Sequence, residues 1–512
     1  MESASVASGS GGPVEVVDKG LKKNAISFVS NIVIGVASTA PGYSLAATLG
    51  FVVAIGGIGL QAPAVMLVAF IPMFCIAMAY NYMNRADPDC GTTFSWVTRA
   101  IGPRSGWMGG WAIIVADIIV MANLAQIAGI YSFKLFDWNS AANSTFAVTL
   151  VGVLWIVVMT AICYIGIELS ARTQQFLLGA EVITLVVFAV VALVKVYADA
   201  PAHSIEPALS WINPFEISSF SALADGMLLA VFIYWGWDSG VTVNEETEDS
   251  STAPGRAAVI STIILLAIYA LVSIAAQAYA GPAALIKAQN DVFSGGLASS
   301  VLGSPLDKLL IIAVLTSASA STQTTILPTA RTSLSMARQK AFPAVFGRIH
   351  PRYLSPSVST LTMGALSIVW YIAIVNLSTN VLADSITALG FSIAFYYGIT
   401  GFACAFYYRR ELFKSAKNLF FAGFLPVLGG LILFGIFVKA FLDYRKADCC
   451  TSKAILGIGP PVAIGIGALL LGVVIMIIAH WPYREFFRRK PEVADPSVLA
   501  ESAPAASGGG GS

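Results

Sequence analysis

Twelve long hydrophobic runs, separated by shorter polar stretches, dominate the pattern of the chain. A helix needs about 20 residues to cross the hydrocarbon core of a bilayer, which is about 30 Å thick. In lipid the backbone must satisfy its own hydrogen bonds, and a helix does so internally. The pattern therefore predicts an all-α membrane protein whose twelve transmembrane helices cover residues 26–50, 57–81, 106–133, 146–166, 173–196, 219–243, 256–281, 306–333, 358–378, 383–408, 418–442 and 457–481.

The composition supports this prediction. Hydrophobic residues make up 57% of the 512 residues and charged residues only 11%, whereas soluble domains carry about 25% charged residues. The net charge of +1 gives no indication of nucleic-acid binding. Six cysteines show no metal-ligand spacing and predict no metal site; they are Cys75, Cys90, Cys163, Cys404, Cys449 and Cys450.

The two ends of the chain differ from the rest. Residues 1–23 and 484–512 are mostly polar or small and predict cytoplasmic tails, the first of them disordered and the second disordered at 490–512. The final segment, SGGGGS, looks like an expression linker. The first hydrophobic run is long and is followed by many others, so it predicts a membrane helix and not a cleavable signal peptide.

Lysine and arginine residues predict the orientation, because cytoplasmic loops are enriched in them. With the N-terminus in the cytoplasm, 21 of the 29 lysines and arginines fall on the cytoplasmic side and 8 fall outside. The chain is therefore expected to be a multi-pass protein of the cytoplasmic membrane with both termini inside.

Two of the predicted helices contain residues that break helices. The first contains GVASTAPGYS at 35–44, in which Pro41 lacks an N–H group and disfavours a helical Ala40. The sixth contains FIYWGWDSG at 232–240, with two glycines and an acid inside an apolar run. Irregular backbone at this depth is tolerated where it is buried in protein or lines a cavity. The alternative is a simple proline kink in the first helix and a tight glycine contact in the sixth.

The interrupted helices are five apart in the chain, which predicts two five-helix halves around a central site. Half-helix N-termini present free N–H groups to a carboxylate, and half-helix carbonyl groups accept hydrogen bonds from an ammonium group. A zwitterionic amino acid carries both groups. The residues predicted to hold the carboxylate are Ala37, Ser38, Thr39, Ala40, Pro41 and Gly42, and those predicted to hold the amine are Phe232, Ile233, Tyr234, Trp235 and Gly236.

Three acids fall inside predicted helices, where a charge costs roughly 2.5–3.5 kcal/mol and needs a partner, a cavity or a proton. Glu181 in helix 5 is the candidate for proton coupling, and a structural, hydrogen-bonded role is the alternative. Asp117 in helix 3 either faces a substrate amine or bonds Asn123 or a neighbouring helix. Asp238 is expected to cap the second half of helix 6, because Asp is a preferred N-cap residue; direct substrate contact is the alternative.

Charged residues also cluster at the predicted cytoplasmic side. The run NEETED at 244–249 shares this side with Arg256, Arg331, Arg338 and Lys340, so a gate of ion pairs is one interpretation and a solvated loop the other. Helix 8 contains TSASASTQTT at 316–325, whose small hydroxyl residues favour close helix packing or, alternatively, sodium coordination.

Three segments carry longer motifs. They are FIYWGWDSGVTVNEETEDSSTAPGRAAVIS after the middle of helix 6, PTARTSLSMARQKAFPAVFGRIHPRYLSP after helix 8, and GIELSARTQQ at the start of helix 5. Together with helix 1 they resemble the amino acid–polyamine–organocation superfamily of permeases, in which similar segments occupy the same places. The resemblance extends from about residue 24 to residue 481, and the segment after helix 8 carries it most specifically.

The resemblance implies the inverted five-plus-five fold of the LeuT type, with substrate bound between broken helices 1 and 6. It places the first repeat at 24–200, the second at 201–409 and two extra helices at 410–483. It also implies alternating access driven by protons, sodium or exchange.

The chain departs from the superfamily pattern at three places. Helix 1 has the sequence ASTAP at 37–41 where the superfamily often has Gly-Ser-Gly. The loop after helix 8 has RQK at 338–340 where Arg-Asp-Gly is usual. Glu181 stands where proton-coupled relatives often have a lysine.

The expected function is secondary active transport of amino acids, with the proton as coupling ion, sodium as the alternative ion, and no cofactor. The expected partners are an amino acid or amine substrate and the lipid bilayer. An amine or polyamine carrier with Asp117 as the cation partner, an exchanger, and a non-transporting nutrient sensor are the alternatives. An enzyme is not expected, because the chain lacks HExxH, GxSxG and phosphate-loop motifs and its histidines, His203, His350 and His480, lie at predicted helix ends or loops.

Overall fold

The computed structural model describes residues 18–289, 291–293, 296–377, 380–450 and 452–491. Twelve helices in these ranges are long and apolar enough to cross a membrane, which confirms the all-α membrane fold predicted from the hydrophobic runs. Most of the two predicted tails, including the SGGGGS segment, lies outside the described residues. Residues 18–23, at the end of the predicted N-terminal tail, pack against the bundle, where Lys19 is buried.

The first and sixth spans are each broken into two helices, as predicted. The first consists of α1a, Phe28–Ser38, and α1b, Pro41–Ala54. The sixth consists of α6a, Phe220–Tyr234, and α6b, Ser239–Thr242. The other spans are α2, Ala62–Ala86; α3, Pro103–Lys134; α4, Thr145–Ile165; α5, Ile167–Ala198; α7, Ala253–Ala288; α8, Asp307–Arg338; α9, Ser357–Leu377; α10, Val381–Tyr407; α11, Leu425–Tyr444; and α12, Pro460–Ala479.

Short helical segments connect the spans, and the described part of the chain contains no β-strand. A π-helical turn at Leu419–Phe424 leads into α11. The short α-helices are Thr93–Ala100, Asn139–Ala142, Leu297–Leu302, Ala416–Asn418 and Arg484–Phe487, and the 3₁₀ turns are Gly59–Gln61, Leu209–Ile212, Pro214–Glu216, Asn244–Glu246, Ala344–Gly347 and Leu412–Lys414.

The packing of the helices repeats with an interval of five. Helix α1a packs against α7, and α6a packs against α2; α3 packs against α10, and α8 packs against α5. If five is added to or subtracted from each helix number, the contact of α1a with α7 becomes that of α6a with α2. In the same way, the contact of α3 with α10 becomes that of α8 with α5. Because five is odd, equivalent helices cross the membrane in opposite directions, so the first ten spans form two inverted five-helix repeats. Helices α11 and α12 pack outside them, mainly against α10.

Local side chains build the break in α1. Ala40 has a left-handed backbone conformation with a φ of 47°, and Pro41 can begin α1b because the first helical position needs no N–H group. Thr39 Oγ1 donates to the carbonyl of Val36 at 2.7 Å, and Ser44 Oγ donates to the carbonyl of Thr39 at 2.6 Å. The Thr39 carbonyl at the break is thus satisfied by a hydroxyl group of the same span.

The break in α6 depends on glycine. Gly236 has a φ of 120°, which residues with a side chain rarely adopt. The Tyr269 hydroxyl on α7 donates a hydrogen bond of 2.6 Å to the carbonyl of Ile233, near the end of α6a. Helix α7 therefore supports the end of α6a from outside.

Candidate functional site

The breaks in α1 and α6 touch each other in the interior of the bundle. A Cβ atom on Gly236 would lie only 2.8 Å from the carbonyl oxygen of Ser38. The hydroxyl groups of Ser38 and Ser239 are 2.8 Å apart, and Ser321 on α8 donates to the Ser38 carbonyl at 2.9 Å. The two breaks therefore form one joint, which α8 supports.

A very small cavity of about 10 Å³ lies at this joint. Ligand pockets commonly measure about 300–1,000 Å³, so binding of a substrate here requires the broken helices to separate. Among the described residues that line it are two acids and no lysine, arginine or histidine. The lining residues are Ser38, Ile113, Asp117, Trp235, Gly236, Asp238, Ser239, Thr325, Pro328 and Tyr396.

Asp117 lies in the middle of α3, where it is buried and lines the cavity. Thr329 on α8 donates a hydrogen bond of 2.5 Å to its Oδ2. A bond to a neighbouring helix was one of the predicted alternatives, and the structure contains it. Asn123 is not the partner, because its side-chain amide makes no hydrogen bond within the described residues.

Asp238 occupies the residue before α6b, but the prediction that its side chain caps this helix was wrong. Its backbone is helical, with φ and ψ of −68° and −17°, and its side chain makes no capping hydrogen bond. An N-cap residue normally has an extended backbone, which turns its side chain toward the helix N–H groups. The carboxylate instead accepts hydrogen bonds from α10, at 2.8 Å from the Tyr397 hydroxyl and 3.2 Å from the Tyr396 hydroxyl.

Glu181 on α5 is fully buried at the start of α1b. The Gly42 amide donates a hydrogen bond of 2.7 Å to its Oε1, and the next amide, of Tyr43, donates to Ser317 Oγ at 3.1 Å. In this conformation, two N–H groups at the start of α1b are thus bound by side chains of α5 and α8. Gly42 was one of the residues predicted to hold a substrate carboxylate, and its N–H group is already bonded.

Only some of the predicted contact residues line the cavity. Ser38, Asp117, Trp235 and Gly236 do so, together with Asp238. The rest of the predicted α1 group, Ala37, Thr39, Ala40, Pro41 and Gly42, forms the break itself.

The predicted aromatic residues of α6a pack elsewhere. The Phe232 ring lies against Tyr43, with ring centroids 6.4 Å apart, and the Tyr234 ring lies against Tyr269, with centroids 4.9 Å apart. Ile233 contributes its carbonyl to the bond with Tyr269. These residues shape the end of α6a without lining the cavity.

Sequence reasoning missed part of the lining. Tyr396 on α10 borders the cavity and accepts a hydrogen bond from Trp235 Nε1. Thr325 and Pro328 border it from α8, at the end of the hydroxyl-rich run that the sequence assigned to packing or sodium. The adjacent pair Tyr396 and Tyr397 in an apolar run was the available signal, because buried tyrosine hydroxyl groups need partners.

An N-terminal strap, residues 18–27, crosses the end of the bundle that carries the NEETED run. Lys19 of the strap is 1% exposed. Its Nζ lies 3.0 Å from Asp89 Oδ2, in the loop after α2, and also contacts Glu245 Oε1, after α6b. The strap thus connects the loop after α2 with the segment after α6b.

Electrostatics favour the charged forms of Lys19 and Asp89. Burial alone would lower the pKa of Lys19, but the negative charges of Asp89 and Glu245 outweigh it and raise that pKa. Burial would raise the pKa of Asp89, but the Lys19 ammonium and hydrogen bonds hold it below its usual range. Ligand atoms of Asp89, Cys90 and Glu245 lie within 4.8 Å of one another, yet Lys19 already contacts both carboxylates.

A second ion pair lies beside the strap. Arg331 Nη2 on α8 is 2.6 Å from Glu246 Oε2, and both side chains are almost fully buried. The amide of Ile26 in the strap donates to the carbonyl of Glu246 at 3.0 Å. The strap, α8 and the segment after α6b are therefore fastened together by an ion pair and a backbone hydrogen bond.

The other cations assigned to that gate have different partners. Arg338 donates to the backbone carbonyl of Lys19 at 3.1 Å. Lys340 pairs with Glu485 at 2.8 Å on the surface, and Arg256 lies over the ring of Phe28 at 5.6 Å. Of these cations, Arg331 contacts the segment after α6b and Arg338 contacts the strap.

Comparisons with known proteins agree with this architecture. A family model described as amino acid permease matches residues 21–480. An uncharacterized transporter of Mycobacterium tuberculosis, Rv1999c, is 26% identical over 401 residues, which cover 77% of this chain and 81% of the relative. The low-affinity putrescine importer PlaP of Escherichia coli is 22% identical, over 74% of this chain and 80% of the relative. The branched-chain amino acid permease BcaP of Lactococcus lactis is 26% identical, over 43% and 50%.

Proposed function

This chain belongs to the amino acid permease family and is a transporter of amino acids or amines, and we propose that it is a secondary active carrier whose substrate binds between the breaks of α1 and α6. Family membership also excludes the enzyme alternative, because permeases move their substrates without changing them. We also propose the coupling ion, the transport mechanism and the binding residues.

One observation supports the binding site most strongly: two buried acids line a cavity where both helix breaks meet. Asp117 and Asp238 are each 3% exposed. A charge in this environment needs a partner, and such residues in membrane helices commonly mark substrate or ion sites. Amino acids and amines share an ammonium group, which would serve as this partner.

Alternating access requires a closure at each end that opens in turn. The strap and the Arg331–Glu246 pair close one end of the bundle. We assign this end to the cytoplasm because the excess of lysine and arginine lies there. The chain would then lie in the cytoplasmic membrane with both termini inside, and inward opening would require Lys19 to leave Asp89 and Glu245.

Proton binding at Glu181 is the proposed coupling step. Its carboxylate accepts a hydrogen bond from Gly42 at the start of α1b, where the helix dipole favours negative charge. A proton on Glu181 removes this charge and weakens the attachment of α1b to α5. Substrate and proton would then promote the same movement of the broken helix.

Uptake by purified protein in proteoliposomes tests the carrier function. Radiolabelled amino acids and amines are supplied with and without an inward proton gradient, in the absence of sodium. Accumulation that the gradient stimulates is the expected result. Uptake only with sodium, or only with substrate preloaded inside, would replace the proton by sodium or by exchange.

A sensor would give a different result in the same vesicles. It would bind a compound, detected as an increase in melting temperature, yet accumulate none under any gradient or preloading. That result would refute the carrier proposal.

A further inference from the structure

The charged groups of the central cavity distinguish between substrate classes. We infer that the substrate is a small organic amine with net positive charge, and not a zwitterionic amino acid; this inference rests on the proposed carrier function. Asp117 and Asp238 are the charged residues among the described lining, and both are buried. An added carboxylate would bring a further negative charge to a site whose described lining contains no lysine or arginine to balance it.

The N–H groups that a substrate carboxylate would use are already bonded. Pro41 has none, and those of Gly42 and Tyr43 donate to Glu181 and Ser317. The N–H group of Ser44 donates to the Ala40 carbonyl at 2.7 Å. The first turn of α1b therefore has no free donor for an anion, although such a turn is usually an anion site.

The break itself offers no replacement for these donors. The amides of Thr39 and Ala40 donate to the carbonyl groups of Val36 and Ala37 at 3.2 and 3.1 Å. A zwitterion would have to displace Glu181 or Ser317 before its carboxylate could bind at α1. An amine without a carboxylate needs no such displacement.

The cavity provides several features that suit an ammonium group. Among the described residues, Thr329 is the hydrogen-bond donor to Asp117 and it occupies Oδ2, which leaves Oδ1 as an acceptor. Asp238 already accepts from Tyr396 and Tyr397, so we assign the closer contact to Asp117. Trp235 adds an aromatic surface, and aromatic rings attract cations.

Four related compounds separate the effect of the carboxylate from that of the second amine. Norvaline and butylamine share one ammonium group, and ornithine and putrescine share two; norvaline and ornithine also carry a carboxylate. Uptake of each radiolabelled compound into proteoliposomes, at equal concentration, gives the ranking. We expect putrescine and butylamine to enter about tenfold or more faster than norvaline, because a charge-assisted hydrogen bond is kept and no anion is buried. Norvaline uptake equal to that of butylamine would overturn the inference.

A binding measurement separates this inference from the carrier function. The increase in melting temperature caused by each compound is recorded in detergent, where no transport occurs. Shifts that favour the amines, without any uptake, would refute the carrier function and retain the cation site. If the amines cause no melting-temperature shift and are not taken up, the inference is overturned. If norvaline alone is taken up, the inference is overturned and the carrier function remains intact.

Substitution of the proposed ammonium partner provides a second test. Asp117→Asn should lower amine uptake about tenfold or more, because a buried charge-assisted bond is lost. Asp225→Asn is the matched control: Asp225 lies on α6a outside the lining, with its Oδ1 3.2 Å from Lys439 Nζ, and its substitution should leave uptake unchanged. Equal amine uptake by Asp117→Asn and the control would contradict the assignment to Asp117. The wild-type ranking tests the substrate class even if Asp117→Asn fails to fold.

Discussion

The backbone amide of Gly42 donates a hydrogen bond of 2.7 Å to Oε1 of Glu181, so that α5 holds the first turn of α1b. The other carboxylate oxygen, Oε2, is buried and has no hydrogen-bond partner among the described residues. An unsatisfied buried polar atom costs about 1–3 kcal/mol. A proton on Oε2 would not supply the missing partner, but it would remove the charge of a buried carboxylate, which makes the pair a suitable place for proton binding to affect a moving helix.

Replacing Glu181 with glutamine should abolish the pH dependence of uptake. The glutamine oxygen can still accept the bond from Gly42, but its amide does not titrate, so structure is retained and coupling is lost. Initial uptake rates measured from acidic to neutral external pH test this expectation.

The matched control for that substitution is Glu168→Gln. Glu168 lies on the same helix but is half-exposed, with its Oε1 2.8 Å from Lys22 Nζ, and its loss should leave the pH profile unchanged. A normal pH profile in Glu181→Gln would rule out the proposed coupling role.

Removing the Lys19 charge should open the strap. Lys19→Met leaves Asp89 and Glu245 without their cation, which costs on the order of 3 kcal/mol for a buried pair. Cys90 reports the opening, because it is fully buried beside Glu245 and its labelling by a maleimide requires the strap to move. We expect its labelling rate to rise about tenfold or more.

Controls distinguish opening of the strap from unfolding. Cys449 and Cys450 are partly exposed and are replaced by serine in all variants. Lys23→Met removes an exposed strap lysine that pairs with Asp18 at 2.7 Å, and it should not change labelling. Cys404 is buried on α10, so its labelling would indicate unfolding. If Lys19→Met stays folded and Cys90 labelling is unchanged, the strap does not hold this end closed.

Breaking the second ion pair should destabilise the protein strongly. Glu246→Gln leaves the Arg331 guanidinium buried without its counter-charge, and we expect the free energy of unfolding to fall by about 3–5 kcal/mol. Glu485→Gln breaks the exposed pair with Lys340 and should cost about 0–1 kcal/mol. Thermal unfolding in detergent compares the two variants. Similar losses of unfolding free energy would contradict the expectation that the buried pair contributes more than the exposed pair.

Asp87 should make stability depend on pH near neutrality. Burial raises its pKa to about 7, although Arg99 Nε lies 2.9 Å from its Oδ2. The folded state then holds a proton that the unfolded state has lost, so the free energy of unfolding falls as pH rises between about 4 and about 7. Asparagine does not titrate, so Asp87→Asn does not lose stability in this way. The melting temperature of the variant minus that of wild type should therefore increase from about pH 5 to about pH 8. Parallel melting curves over this range would refute the prediction.

The fold could be predicted because its signals are local. Hydrophobic runs mark the spans, and Pro41 and Gly236 mark the two breaks through backbone chemistry that depends on single residues. The division into two five-helix halves followed from the interval between the breaks. None of these steps requires knowledge of which side chains meet.

The site could be predicted only in part, because partners are chosen by tertiary packing. Lys19 contacts Glu245 across 226 positions of the chain, and no local pattern connects them. Asp238 looked like a helix cap, but the short α6b and the tyrosines of α10 give its carboxylate other partners. Ser38 and Asp117 were identified because a break and a buried charge are visible in the sequence itself.

The contact between Gly236 and Ser38 has an evolutionary consequence. A side chain at position 236 would push against the Ser38 carbonyl, so the backbones of the two breaks restrict each other. Lining residues such as Ile113 and Thr325 border the cavity from α3 and α8, outside the two breaks. We therefore expect substrate preference to diverge through exchanges at these positions while the joint persists, so that one mechanical framework can serve carriers of different small molecules.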